Sequence, residues 1–206
     1  MLVYYCLISN IMKKVLFISS RPIYPLVGGD RIRTAQQLEF LTHRYCVDVI
    51  YMTETPCEDM VDKYLPKVNS VKQFVVSRWL CYFQTLRAIF NSLPLQVNYY
   101  YNSSVKEYIY SNVGKYDVIF CNNIRTAEYA RSIVGPARYI DFVDAVSMNY
   151  EKAIREAHGI KRLIYKYDSK RCRCYEQILL QSFDACAIIS DVDKNYILEC
   201  PSEFIP

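Results

Sequence analysis

Residues 13–33, with the sequence KKVLFISSRPIYPLVGGDRIR, join an apolar run, a proline-containing loop and the start of a helical pattern. The run from Val15 to Ser19 is typical of a parallel strand that is covered on both faces. Pro22 and Pro25 then interrupt regular structure. A strand that leads through a glycine-bearing loop into a helix is how α/β folds present backbone N–H groups to an anionic ligand.

Five residues at the end of this loop are predicted to bind substrate. Gly28 and Gly29 permit positive φ and a close approach of a ligand to the backbone. Asp30 is the expected N-cap of the helix. Arg31 and Arg33 fall in the first helical turn, where cations oppose the helix dipole, so their placement is better explained if they meet an anion. The alternative is that the glycines only relieve backbone strain, since the loop contains neither G-x-G-x-x-G nor a Walker lysine.

Outward from this stretch, apolar strand patterns alternate with helical patterns along the chain. This alternation predicts an α/β domain with a Rossmann-like parallel sheet, right-handed crossovers and flanking helices. The predicted strands are 14–19, 47–52, 72–76, 117–121, 137–141 and 185–189. The predicted helices are 30–43, 57–65, 78–92, 104–113, 125–133, 147–158, 160–182 and 191–199.

Two further loops follow predicted strands, at the edge where open α/β sheets bind ligands. After the strand at 117–121, Asn123 and Arg125 are candidates to bind substrate, with Arg125 expected to hold an acceptor phosphate near a helix N-terminus. The alternative for Asn123 is that it caps this helix. After the strand at 137–141, Asp141 and Asp144 are candidates to accept hydrogen bonds from sugar hydroxyls or to orient an acceptor, and Ser147 is a candidate helix cap.

These motifs, taken in order, resemble the opening half of family-four glycosyltransferases of the GT-B fold, close to bacterial sugar transferases of exopolysaccharide assembly. The likeness begins with P-x-x-P, G-G and D-R-I-R and continues through Leu93-Pro94 and the tyrosines 99–101. It extends through YDVIFC and IDFVDAVS to FDACAIISDVDKNYI, and so covers roughly residues 12–196.

The resemblance implies the acceptor-side half of a retaining enzyme that moves a sugar from a nucleotide-sugar to a polysaccharide or other cell-envelope acceptor. It implies a glycan or lipid-linked acceptor, no cofactor and a general-base role for Asp144, where many members of the family have a histidine. Residues 12–200 are the expected domain, 1–11 an extension from an upstream start, and 201–206 the beginning of an interdomain linker. The donor-binding domain lies outside this chain, so whether the chain alone is an enzyme stays open.

Composition excludes several classes of protein. With 206 residues, 52% hydrophobic and 22% charged, the chain is long and apolar enough for one core. The net charge of +4 permits an anionic partner, but no lysine–arginine cluster is dense enough to predict nucleic-acid binding. The nine cysteines lie mostly among apolar neighbours and form no C-x-x-C pair, which predicts free thiols, no metal site and a cytoplasmic location. No apolar run reaches the ~18 residues of a transmembrane helix.

Two helical faces suggest contact with the inner face of a membrane. One is aromatic and contains Trp79, Tyr82, Phe83, Leu86 and Phe90; the other is a basic stripe of Arg162, Lys166, Lys170 and Arg173. Together they fit peripheral docking on anionic lipid. The alternatives are a core-facing helix for the first and a solvated face for the second. For the whole chain, a non-catalytic α/β binding module or an inactive remnant is the alternative to a transferase, and a single-domain nucleotide enzyme is a further rival.

Overall fold

A computed structural model describes residues 12–56 and 61–201 of this chain. The predictions for residues 1–11 and 202–206, and the first four residues of the helix predicted at 57–65, lie outside the described residues. Within the described part, the strands are β1 Lys14–Ser19, β2 Cys46–Thr53, β3 Ser70–Val75, β4 Val118–Asn122, β5 Ala137–Asp141 and β6 Ala185–Ala187.

These strands form one parallel sheet in the order β3-β2-β1-β4-β5-β6. The α/β, Rossmann-like prediction is therefore confirmed. The chain moves outward from β1 in one direction to β3, then returns to place β4 on the other side of β1. This reversal is a topological switch point, and ligands of open α/β sheets bind in the crevice outside the carboxyl ends of the strands there.

The central strand β1 is buried on both faces because helices cover both sides of the sheet. Val15 and Phe17 pack with Leu38 of the first helix on one face. Leu16 and Ile18 belong to the larger cluster on the other face. All four side chains are at most 1% exposed, which explains why this strand is a continuous apolar run in the sequence.

The helices that flank the sheet are α1 Gly29–Thr42, α2 Val61–Tyr64, α3 Arg78–Thr85, α4 Leu95–Tyr100, α5 Ser103–Asn112, α6 Val146–Glu156, α7 Gly159–Ser182 and α8 Asp191–Leu198. The single helix predicted at 78–92 is instead α3 followed by a 3-10 helix, Leu86–Ile89. The helix predicted at 125–133 is likewise a shorter 3-10 helix, Ile124–Tyr129. Among these helices, none is long and apolar enough to cross a membrane.

Helix α4 was not predicted. For Tyr99, Tyr100 and Tyr101 a strand edge and an exposed patch were both open, and strand propensity with half-burial was the favoured interpretation. The half-burial is confirmed for all three, but the strand propensity is not. Tyr99 and Tyr100 instead end a helix that starts after Pro94, where proline sets a φ suited to a helix start. Tertiary contacts fix this segment, since the backbone N–H of Leu95 donates to the buried carboxylate of Asp168 in α7 at 2.8 Å.

Helices α6 and α7 form an antiparallel pair that extends past the carboxyl edge of the sheet. Ser147, at the start of α6, contacts Glu176 in the C-terminal third of α7. Tyr150, one turn later, packs on Tyr165. The N-terminal half of α7 therefore lies beyond the strand ends, on the side of the crevice.

Candidate functional site

The candidate site is the crevice at the carboxyl ends of β1, β2 and β4. A cavity of about 320 Å³ opens there, beside the switch point. It is lined by Ser20, Arg21, Pro22, Met52, Thr53, Glu54, Thr55, Val76, Cys81, Tyr99 and Tyr100. Its walls come from the loop after β1, the end of β2 and the residues after it, the residue after β3, the middle of α3 and the end of α4.

Arg21, which the sequence analysis missed, is the cation that lines this cavity. It follows β1 directly and forms an ion pair with Asp30 of α1. Burial lowers the pKa of Arg21, and the nearby positive charges of Arg125 and Arg31 lower it further. An arginine remains protonated under such conditions, and the contributions of Arg125 and Arg31 show that their positive charges lie near Arg21. In the sequence, Arg21 could have been identified as a candidate by its position as the first charged residue after β1.

Arg31 and Arg125 bring two more guanidinium groups to the crevice, and neither pairs with a carboxylate of the described residues. Arg31 donates to the carbonyl oxygen of Pro25 at 3.1 Å. Arg125 donates to Gln96 Oε1 at 2.9 Å, and its guanidinium lies 5.3 Å from the centre of the Tyr100 ring. Of the three guanidinium groups, only that of Arg21 is paired with a carboxylate, Asp30.

The structure places Arg125 as predicted, after β4 and across the switch point from Arg21. Asn123 has φ 71°, and its side chain accepts a hydrogen bond from the Arg125 backbone N–H at 3.2 Å. The predicted cap at Asn123 is confirmed, although it caps a 3-10 helix. The cap holds the backbone from which the Arg125 side chain projects.

The glycine loop differs in part from the prediction. Gly28 has φ 91°, a conformation that L-residues with side chains rarely adopt, and it is the N-cap of α1. Gly29 is already helical, and a Cβ there would meet no atom within 4 Å. Asp30 is not the N-cap as predicted, because it lies in the first turn and no side chain caps this helix. Its carboxylate is instead directed to Arg21.

Arg33 was predicted to bind an anionic ligand, but it binds a carboxylate of the protein instead. Its Nε and Nη2 donate to the two oxygens of Asp141 at 2.9 and 3.1 Å. Asp141 is fully buried and also accepts from the Gln37 side chain and from the Val143 backbone N–H. The hydrogen bonds to Asp141 raise the pKa of Arg33. These contacts join α1 to β5 and leave the carboxylate of Asp141 away from solvent.

Asp144 lies in the loop between β5 and α6 and is half-buried. It follows Val143, a non-glycine residue with φ 67°, and accepts from Asn149 Nδ2 at 2.6 Å. It does not line the crevice cavity. Ser147 was predicted to cap α6, but the helix begins one residue earlier with Ala145 as its N-cap. Ser147 instead donates, through N–H and hydroxyl, to the buried carboxylate of Glu176.

One acid does line the cavity. Glu54, after β2, accepts two hydrogen bonds from Arg78 and one from the Tyr99 hydroxyl at 3.2 Å. These hydrogen bonds lower the pKa of Glu54, and the bonds from Arg78 have a larger effect than the one from Tyr99. Glu54 is therefore an ionised acceptor, and it carries the only carboxylate in the cavity lining of the described residues.

The described residues contain no cluster of His, Cys, Asp and Glu that could hold a metal ion. A larger cavity of about 470 Å³ lies between α1 and the sheet, with a mostly apolar lining that includes Phe40, Phe120 and Tyr139. It lies below the crevice on one face of the sheet. The crevice is the better candidate because it lies at the switch point and carries the charged groups.

The fold is shared with solved UDP-glucosyltransferases of the GT-B class. One is a Polygonum tinctorium enzyme capable of glucosylating indoxyl, in complex with 3,4-dichloroaniline; it is 12% identical, with a TM-score of 0.53 over 95% of this chain. Another is Phytolacca americana UGT2 complexed with UDP-2fluoro-glucose and pterostilbene; it is also 12% identical, with a TM-score of 0.53 over 94% of this chain.

This chain spans 51% of the length of each of those two structures. At this identity, the likeness establishes a common fold. No family model matches the sequence, and no curated protein matches it significantly.

Proposed function

We propose that this chain is the acceptor-side half of a glycosyltransferase of the GT-B class. The observation that carries the proposal is the pair Arg21 and Arg125, which follow β1 and β4 and flank the switch point with Arg31 close by. Guanidinium groups bind phosphate and diphosphate oxygens bidentately. The shared fold with UDP-glucosyltransferases supports sugar transfer as the reaction.

The proposed reaction is transfer from a nucleotide-sugar to a glycan or lipid-linked acceptor, with retention, in polysaccharide or cell-envelope synthesis. The acceptor hydroxyl oxygen forms a bond to the anomeric carbon while the bond from that carbon to the nucleoside diphosphate breaks. The hydroxyl proton passes to a base, for which Asp144 is the proposed group. A second domain, of the exopolysaccharide-transferase type that the motifs resemble, would hold the nucleotide.

In this proposal most of the predicted site residues have a defined part. The N–H groups at the uncapped start of α1, after Gly28 and Gly29, stabilise the charge of the leaving diphosphate. Arg31 and Arg125 hold an acceptor phosphate. Asp30 fixes Arg21 at the cavity wall. Arg33 and Asp141 support the site from beneath by joining α1 to β5. Glu54 is an additional acceptor for sugar hydroxyls.

The proposal places the protein in the cytoplasm, at the inner face of a membrane, because a lipid-linked acceptor is held there. It also requires that the anionic acceptor bind without the nucleotide-binding half.

Calorimetric titration of this chain with nucleotide-sugars and with an isoprenyl diphosphate tests these points. We expect the isoprenyl diphosphate to bind and the nucleotide-sugars to give no signal. Tight nucleotide binding by this chain alone would replace the two-domain proposal with a single-domain nucleotide enzyme. Absence of binding for every anion tested would reject the anion site itself.

A further inference from the structure

A large apolar surface on this chain is left uncovered, which contradicts the alternative that the aromatic face of residues 79–90 is a core-facing helix. Of α3 and the 3-10 helix after it, only Cys81 and Ala88 are buried. Phe90 is 90% exposed and Trp79 75% exposed. The other exposed apolar residues of this segment are Leu80, Tyr82, Phe83, Leu86 and Ile89. Monomeric proteins rarely expose contiguous apolar area of this kind without a function for it.

The N-terminal half of α7 exposes a second set of apolar residues. Ile160 is 77% exposed, and Leu163, Ile164 and Tyr167 are also exposed. Cations interleave with them along the same turns, since Lys161, Arg162, Lys166 and Lys170 are exposed. Arg173, which we predicted as part of this basic stripe, is buried and lies 3.7 Å from the Tyr196 ring centre, so it does not belong to the surface.

Arg171 joins the two sets into one surface. Its guanidinium donates to the carbonyl oxygens of Ala88, Asn91 and Leu93, at 2.6, 2.8 and 2.9 Å. The same group contacts Tyr167, with its Nη2 3.0 Å from the hydroxyl. The exposed part of α7 therefore lies directly beside the end of the 3-10 helix. We call the combined area, residues 78–90 and 160–170, the apolar–basic surface.

The charge of this surface has one sign. No acidic residue occurs between positions 63 and 106, and the only one between 159 and 175 is Asp168, which is fully buried. Arg87 and the cations of α7 within residues 160–170 are exposed in the same two segments as the apolar side chains. Aromatic side chains in the middle and lysines or arginines at the rim are what an anionic lipid interface binds.

A second copy of this chain is a poorer occupant. In a two-fold dimer the same patch faces itself, so the cations of one copy would meet the cations of the other. An anionic bilayer offers complementary charge and an apolar interior to both halves of the surface.

We propose that the apolar–basic surface docks this protein on an anionic lipid bilayer. The surface begins at the rim of the crevice, because Arg78 contacts Glu54 and the Tyr82 ring packs on Tyr99, 5.5 Å between ring centres. Docking would therefore hold the crevice beside the headgroups, where a lipid-linked molecule can reach it. The inference does not depend on sugar transfer, since it rests on exposure and charge alone.

Co-sedimentation with vesicles tests the inference. The probes are vesicles of phosphatidylcholine alone and vesicles with about one third phosphatidylglycerol. We expect binding to the anionic vesicles at least about tenfold tighter than to the neutral ones, and weaker binding as salt is raised. Equal binding to both, or none to either, would overturn the proposal.

Paired variants locate the contact. Phe83→Ser with Phe90→Ser should weaken binding to anionic vesicles by about tenfold or more, because two exposed rings no longer insert. Val134→Ser, at a residue 92% exposed in the loop before β5, is the apolar control and should bind like the parent protein. An unchanged affinity in the double phenylalanine variant would contradict the proposal.

The charge contribution has its own matched pair. Arg162→Gln with Lys166→Gln should weaken anionic binding by about tenfold, whereas Lys13→Gln with Lys115→Gln removes the same charge elsewhere and should change it far less. Equal losses in both variants would show a non-specific effect of net charge and overturn the assigned surface. Light scattering without lipid completes the test. If the protein self-associates, if Phe90→Ser abolishes this self-association and if no vesicle binding is seen, the surface is assigned to a dimer instead.

Discussion

The two sides of the carboxyl edge of the sheet differ in whether their arginines are paired with carboxylates of the protein. On the β5 side, Arg33 and Asp141 satisfy each other, and Asp141 is fully buried. On the β1–β4 side, Arg21, Arg31 and Arg125 lie close together with a single carboxylate, Asp30, among them. Both sides carry arginines that follow strands or begin helices. The difference shows that the fold neutralises Arg33 internally on one side and leaves Arg31 and Arg125 without a carboxylate partner among the described residues on the other.

We call the β5 side, where Arg33 and Asp141 pair, the closed side, and the β1–β4 side the open side. The stability of the protein should fall when one partner of the closed side is removed. Arg33→Met removes the bidentate donor and leaves the buried carboxylate of Asp141 with only Gln37 and a backbone N–H. We expect a loss of about 3 kcal/mol in the free energy of unfolding, reduced from the full value for a buried pair because Arg33 is partly exposed. Urea denaturation measures it. Arg31→Met, two residues earlier, is the control and should stay within about 0.5 kcal/mol; equal effects in the two variants would remove the distinction.

A second closed site, at Glu176, gives a pH test. Burial raises the pKa of Glu176 from 4.5 to about 7, although its hydrogen bonds from Ser147 oppose that shift. Between these values the folded protein holds a proton that the unfolded chain has released, so stability should fall as the pH rises through this window, by up to about 3 kcal/mol. In Glu176→Gln this dependence should be absent. Urea denaturation at several pH values measures it, and parallel curves for both proteins would contradict the assignment.

The proposed base, Asp144, lies in the loop after β5 and outside the lining of the crevice cavity. In a protein that carries this chain together with a donor-binding half, Asp144→Asn should lower the turnover number by about 10²-fold, because the amide cannot take the acceptor proton. Its KM should change little. Asp191→Asn, an exposed acid in the first turn of α8, is the control. Steady-state kinetics with unchanged turnover would remove Asp144 from the mechanism.

The open side should show the smallest and most selective effect. Arg125→Gln should weaken isoprenyl diphosphate binding by about tenfold and change stability by less than about 0.5 kcal/mol, since its partners are a neutral amide and a ring. Calorimetry and urea denaturation measure the two quantities. Arg44→Gln, an exposed arginine over the Phe40 ring, is the binding control. A large loss of stability in Arg125→Gln would place this residue on the closed side of the comparison.

The strands were predicted well from the sequence because buried strands appear in it as continuous apolar runs. The central strand β1 is predicted at the residues where it lies, and β2, β4 and β5 agree within one residue at each end. Helix α4 was missed because its residues favour strands locally and are held by a contact with Asp168, 73 positions away. The end of α3 was overextended for a related reason: an amphipathic pattern continues past Thr85, while the chain tightens into a 3-10 helix.

The site residues differ in the same way: features that depend on neighbours in sequence were predicted, and contacts between distant residues were not. The cap at Asn123 and the position of Arg125 follow from local sequence, since capping involves neighbours two residues apart. The partner of Arg33 could not be predicted, because Asp141 is 108 residues distant and the two meet only when β5 takes its place in the sheet. For the same reason Arg21 was overlooked: its neighbours Arg125 and Tyr100 arrive from other strands and helices.

Local sequence is enough to predict the α/β class, most strand positions, the glycine loop at the start of α1 and the excess of cations over acids in residues 159–175. These properties depend on local periodicity, on φ and on composition. The tertiary structure alone decided which charges are neutralised inside the protein and which remain at the crevice. It also decided that the aromatic face of α3 lies outside the core, beside the basic face of α7. Such outcomes depend on contacts between distant segments, and Arg171 makes that contact through three backbone carbonyls.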